Sequence, residues 1–136
     1  MHQLQLINLP DARRVVNVAS VPQRSPFRYP GGKTWLIPQI RRWLDSLTRK
    51  PSLLVEPFAG GGIVGLTAAF EGLADRVLLV ELDGQIASVW RALVDGEAEW
   101  LAGRILSFKM THEALAEELN KSGGSIREMA FRTLLR

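Results

Sequence analysis

Three consecutive glycines, Gly60-Gly61-Gly62, stand where an apolar run gives way to a helical pattern. SLLVEPF (52–58) is a short apolar stretch of the kind that buried parallel strands show. IVGLTAAFEGL (63–73) places Ile63, Leu66, Ala69, Phe70 and Leu73 at helical spacing, with Gly72 near its end. RVLLVEL (76–82) is a second apolar run of strand length. Strand, glycine turn, helix, strand is a βαβ unit, and such crossovers are right-handed and belong to α/β folds with a parallel sheet. Only two convincing strands are present, whereas a doubly wound sheet has about five or more. The expectation is therefore an incomplete parallel sheet with flanking helices.

The same glycines bear on chemistry. Gly60, Gly62 and Gly65 satisfy G-x-G-x-x-G between a strand and a helix, and Glu81 closes the second strand about twenty residues on, where an acid can hold ribose hydroxyls. Glycine lets a backbone come close to a ligand, and a helix N-terminus offers free N–H groups and the positive end of a dipole. The pattern points to a ligand with an adenosine-like part. A dinucleotide would set its pyrophosphate on the glycines. S-adenosylmethionine would set there a methionine tail with an ammonium and a carboxylate. Glu56 lies just before the turn, where it could pair with that ammonium but would oppose a pyrophosphate. The choice leans to S-adenosylmethionine.

A second glycine cluster, YPGGKTWL (29–36), ends in Gly-Lys-Thr as a P-loop does. A P-loop needs another glycine five positions before its last, so that backbone N–H groups can surround the phosphates. That position is Phe27, and the residues upstream carry Pro22 and Pro26 and no apolar run. The triphosphate reading fails.

The remaining sequence reads as helix. From Thr34, Trp35, Ile40, Trp43, Leu44 and Leu47 fall at roughly helical spacing, Pro38 falls in the first turn, and Lys50-Pro51 ends the run. Residues 84–96, 97–108, 111–120 and 125–136 continue the pattern, with a weak cap at Thr111 and a capping box at Ser125 and Glu128. Residues 1–25 read as an irregular arm and 26–110 as a ligand-binding unit. Residues 111–136 form a further helical region.

The chain has 136 residues, enough for one modest domain. It has no cysteine, and its two histidines, His2 and His112, lie far apart, which disfavours a metal centre. No run reaches membrane-spanning length and no signal-peptide core is visible, so a cytoplasmic protein is expected. Residues 1–50 hold nine Lys/Arg against two Asp, whereas residues 51–136 hold eight against twelve Asp/Glu. A basic first third suits a polyanion such as DNA.

Four segments resemble the class α N6-adenine DNA methyltransferases, the group of the DNA adenine methylases. V-E-P-F-A-G-G-G (55–62) resembles their motif I. P-F-R-Y-P-G-G-K-T-W-L-I-P-Q-I (26–40) resembles the motif X that precedes it, and V-L-L-V-E-L-D-G-Q-I (77–86) resembles motif II. A-F-R-T-L-L-R (130–136) resembles the start of the target-recognition insertion. The resemblance runs from Pro26 to Arg136 with the order and spacing kept.

It implies a Rossmann-like S-adenosylmethionine-dependent fold, double-stranded DNA as partner and transfer of a methyl group to adenine N6. By position, Tyr29 would lie against the cofactor, and Lys33 would offer a cation to the cofactor's carboxylate or a DNA phosphate. Phe58, Gly60 and Gly62 would floor the site, and Glu81 would bind the ribose hydroxyls. Asp83 stands where members often carry another polar residue. The family's catalytic Asp/Asn-Pro-Pro-Tyr/Phe motif follows the insertion, and this sequence has no Pro-Pro pair. The expectation is a fragment without catalytic residues of its own, completed by a missing C-terminal half or a second subunit. Its last helix would have little to pack against.

Two other classes fit parts of the pattern. A nicotinamide- or flavin-dependent oxidoreductase would use Gly60, Gly62, Gly65 and Glu81 but leave Tyr29, Lys33 and Glu56 idle. A non-catalytic DNA-binding module would use Arg13, Arg14, Arg24, Arg28, Arg41 and Arg42.

Overall fold

The computed structural model describes residues 19–26 and 29–136. Arg13, Arg14, Arg28, His2 and most of the expected arm lie outside the described residues.

A 3-10 turn at Thr34–Leu36 leads into α1 (Ile37–Asp45), with Pro38 in its first turn, where a missing N–H costs nothing. The helix is shorter than its apolar pattern predicts. Ile37, Ile40 and Leu44 face the core, while Trp35 and Trp43 stay largely exposed. β1 (Leu54–Pro57), α2 (Ile63–Phe70) and β2 (Val77–Val80) follow as the predicted βαβ unit. The strands pair in parallel, Leu54 opposite Val77 and Pro57 opposite Val80. α3 (Gly84–Val94), α4 (Ala98–Ser107), α5 (His112–Asn120) and α6 (Ile126–Leu134) complete the order. The chain is thus α/β, with a two-stranded parallel sheet among the described residues.

The strands were expected to be buried, and only one face is. Leu54 and Glu56 point toward α2 and are buried; Val55, Leu78 and Val80 point the other way and are each nearly half exposed. A strand's side chains alternate between its two faces, so one helix layer covers one set only.

The apolar interior falls into two clusters. Ile37, Leu44, Leu54, Ile63, Val64, Ala68 and Ala74 join α1, α2 and β1. Val89, Ala92, Leu101, Ala130 and Phe131 join α3, α4 and α6. The second cluster corrects the expectation for the last helix. Phe131 is almost fully buried, with the edges of Trp100 and Phe108 against it at centroid distances of 6.5 and 5.5 Å. A buried aromatic of this kind contributes about 2–3 kcal/mol. The Ser125–Glu128 capping box forms as predicted, and Thr111 accepts from the Ala114 N–H at 3.2 Å.

The basic first third is partly consumed within the fold. Arg41 grips Glu71 in a fork, Nε to Oε2 at 2.8 Å and Nη2 to Oε1 at 2.6 Å, and Arg24 adds a bond at 3.0 Å. These pairs tie the segment before α1, and α1 itself, to the end of α2. The Arg41 hydrogen bonds hold the Glu71 carboxyl below its ordinary range, with Arg24 adding to the effect against the cost of burial. A carboxyl depressed in the folded state stabilises fully above its unfolded pKa. That contribution is lost as pH falls through the folded value. Glu71→Gln should therefore lower the thermal midpoint near neutral pH. The gap from wild type should close as the pH of the melts is taken below the ordinary carboxylate range.

Candidate functional site

β1 delivers Glu56 to its buried face, 3% exposed, beneath the start of α2. A carboxylate removed from water needs partners, and Glu56 has two. Its Oε2 accepts from the Gly65 N–H at 2.6 Å, and its Oε1 accepts from Lys33 Nζ at 2.9 Å. Gly65 permits this approach: a Cβ there would lie 2.6 Å from Leu79 and 3.0 Å from the Glu56 carboxylate. The third glycine of the pattern thus serves close packing of helix on strand.

Beyond β1 the chain turns sharply. Phe58 has φ 54°, a left-handed value found at no other non-glycine among the described residues, and the residue is 79% exposed. Lys33 Nζ takes the Phe58 carbonyl at 2.7 Å and lies 3.5 Å from that of Ala59. The Ala59 N–H reaches the Val80 carbonyl at 3.0 Å, which fixes the turn to the end of β2.

Gly60 is held on three sides. Its N–H donates to Glu81 Oε2 at 2.7 Å, and its carbonyl accepts from Trp90 Nε1 at 2.8 Å. Over its Cα lies the Tyr29 ring, which a Cβ at position 60 would strike at 2.8 Å. The other Glu81 oxygen accepts from the Asp83 N–H at 2.9 Å. Asp83 itself caps α3, accepting from Gln85 N at 2.8 Å and Ile86 N at 3.4 Å.

The result is a cleft of about 380 Å³ between the Tyr29–Thr34 segment and the glycine turn. Of the residues singled out in the sequence, Tyr29, Lys33, Phe58, Gly60 and Gly62 line it. Glu56 lies below its floor and reaches it through Lys33. Glu81 meets the floor at Gly60.

Lys33 and Glu56 are thus spent largely on each other and on the turn. Gln23 and Ser25 also line the cleft, although the sequence offered no residue before 26 for a cofactor site. Trp90 was missed as well, because a tryptophan at a helical apolar position looks the same whether its N–H serves a loop or finds another partner. The capping role of Asp83 was legible in principle from its place before α3.

These contacts bear on the dinucleotide alternative. The Gly65 N–H in the first turn of α2 is taken by a carboxylate of the chain itself. A pyrophosphate at this helix end would find that N–H already taken. A ligand presenting an ammonium or hydroxyls meets no such conflict.

A family model described as D12 class N6 adenine-specific DNA methyltransferase matches residues 29–122. No curated protein and no solved structure matches the chain.

Glu56→Ala strands both the Lys33 ammonium and the Gly65 N–H, and should cost about 2 kcal/mol or more. A double-mutant cycle with Lys33→Met, followed by urea unfolding, should return a coupling energy of about 1–2 kcal/mol. A cycle that closes at zero would show that the pair does not act as a unit.

Proposed function

Because the chain belongs to the D12 class N6 adenine-specific DNA methyltransferases, we propose that the cleft between Tyr29 and the glycine turn binds S-adenosylmethionine. On this reading the protein serves methyl transfer to adenine N6 in double-stranded DNA. The observation that carries it is the meeting of Tyr29, Lys33 and Gly60 around one cleft, with Glu81 bound to the Gly60 N–H at its floor, although these residues lie up to 52 positions apart in sequence.

The residues present fit this ligand. Tyr29 offers an aromatic wall above Gly60, and the crowding there leaves no room for a Cβ. Glu81 uses each oxygen once on a backbone N–H, and a carboxylate has about four acceptor positions. Capacity remains for two ribose hydroxyls. Lys33 lines the cleft and is held in place from below by the buried Glu56 carboxylate, so a cation stands where the carboxylate of an amino-acid tail would need one. When bound, the cofactor supplies an electrophilic methyl group on a sulfonium. The chain's own part is to hold the donor in place and to keep the glycine turn in one shape.

Transfer needs a second set of groups. The exocyclic amine of adenine is a poor nucleophile, because its lone pair is delocalised into the ring. An acceptor pair for its N–H groups, and an aromatic ring against the flipped base, must hold it in line. The absence of any Pro-Pro pair from these 136 residues supports the reading that this part of the machinery comes from elsewhere.

Glu81→Ala should weaken S-adenosylmethionine binding by calorimetry about tenfold or more, since hydrogen bonds to charged groups are worth about 1.5–3 kcal/mol. A cofactor analogue lacking the ribose hydroxyls should lose a similar factor against the wild-type chain and little further against the variant. Equal affinity of wild type and Glu81→Ala would remove the ribose assignment. With labelled cofactor and unmethylated DNA, the 136-residue chain should transfer no measurable label; appreciable incorporation would show that the acceptor groups lie within it.

A further inference from the structure

Away from the cleft, α6 packs along α3 in the opposite direction. Arg136, just past the end of α6, hydrogen-bonds Gln85 in the first turn of α3; Arg127, near the start of α6, pairs with Glu97 beyond the end of α3. α3 begins at Gly84, four residues after β2 ends at Val80. The end of α6 therefore lies at the end of the sheet where the glycine turn and Glu81 stand. Ligands of open α/β sheets bind at that end.

A small cavity of about 170 Å³ opens there. Lys121, Arg132 and Arg136 line it, with the amide of Gln85, and none of its lining residues is acidic. Residues 51–136 carry a net negative charge, so three cations around one cavity depart from their surroundings. Arg132 is 8% exposed and spends one of its five N–H donors on the Gly123 carbonyl. Lys121 gives one proton to Glu118 at 2.8 Å and keeps two. Two of the arginines that the sequence offered for DNA, Arg24 and Arg41, are instead held by Glu71.

We propose that this cavity holds a backbone phosphate of the DNA substrate, gripped by Lys121, Arg132 and Arg136 beside the first turn of α3. The proposal rests on the methyltransferase reading, since it takes DNA as the ligand. Its chemistry is that of a phosphate oxyanion among N–H donors, where arginine forks suit the geometry. A contact of this kind carries no sequence information; it sets the register of the duplex relative to the cofactor cleft.

The test compares wild type, Lys121→Ala/Arg136→Ala and Arg49→Ala in the full chain, by fluorescence anisotropy on a short mixed-sequence duplex. Lys121 and Arg136 are at least half exposed or at the surface, so the double variant should keep the wild-type circular dichroism spectrum and melt. Arg49 is exposed before β1, at the opposite end of the sheet, and serves as the charge control. Between about 50 and 200 mM salt, the double variant should bind several-fold more weakly. Its slope of log affinity against log salt should be shallower by about one, the value for one lost phosphate contact. Arg49→Ala should match wild type in slope.

A double variant with the wild-type slope and affinity overturns the proposal. So does a wild-type chain that binds S-adenosylmethionine but no duplex at low salt, an outcome that leaves the cleft reading intact. Inorganic phosphate that binds wild type and not the double variant by calorimetry, with duplex affinity unchanged, assigns the cavity to free phosphate and also overturns it. Duplex binding that depends on these cations in a chain without cofactor affinity supports the cavity and removes the cleft reading instead.

Discussion

The buried carboxylate of Glu56 organises the candidate site. It lies under a helix N-terminus, where a fixed negative charge is favoured, and it accepts from the Gly65 N–H and from Lys33. Those two bonds join three stretches of chain: the Tyr29–Thr34 segment, the end of β1 and the first turn of α2. Lys33 then extends the clamp to the Phe58 carbonyl, and so sets the direction of the turn that follows. Together with the Tyr29 ring over Gly60, these bonds hold the two glycine clusters face to face.

A second layer of contacts acts on Gly60 alone. Glu81 from the end of β2 holds its N–H, and Trp90 from α3 holds its carbonyl. The peptide groups on both sides of one glycine are therefore oriented by side chains from two later elements. This couples the glycine turn to α3, and through α3 to the helical cluster around Phe131.

Much of the fold could be read from the chain, because its signals are local. The triple glycine, the two apolar runs and the Ser125–Glu128 spacing each specify a conformation over a few residues. The glycines of the cleft were legible in the same local way, whereas Tyr29, Lys33 and Phe58 were singled out by the resemblance, and all three line the cleft with Gly60 and Gly62. What escaped was the choice of partner. Alternation along β1 places Glu56 on the α2 face, but nothing local says that a lysine 23 positions earlier will meet it. A count of positive charges did not show that Glu71 would take up Arg24 and Arg41. Nor did the apolar face of α6 reveal that α3 and α4 would supply its cover. Such pairings are made in three dimensions, and a single sequence carries no record of them.

Phe58 shows what such a site asks of a backbone. A left-handed conformation costs a side-chain-bearing residue about 1–2 kcal/mol, and an exposed ring recovers almost none of that by burial. Glycine would suit the turn better on stability alone. An aromatic kept at such a position trades ease of folding for a flat apolar surface at the rim of the cleft. Sites under that kind of tension are where selection for a more robust protein and selection for a working one pull in different directions.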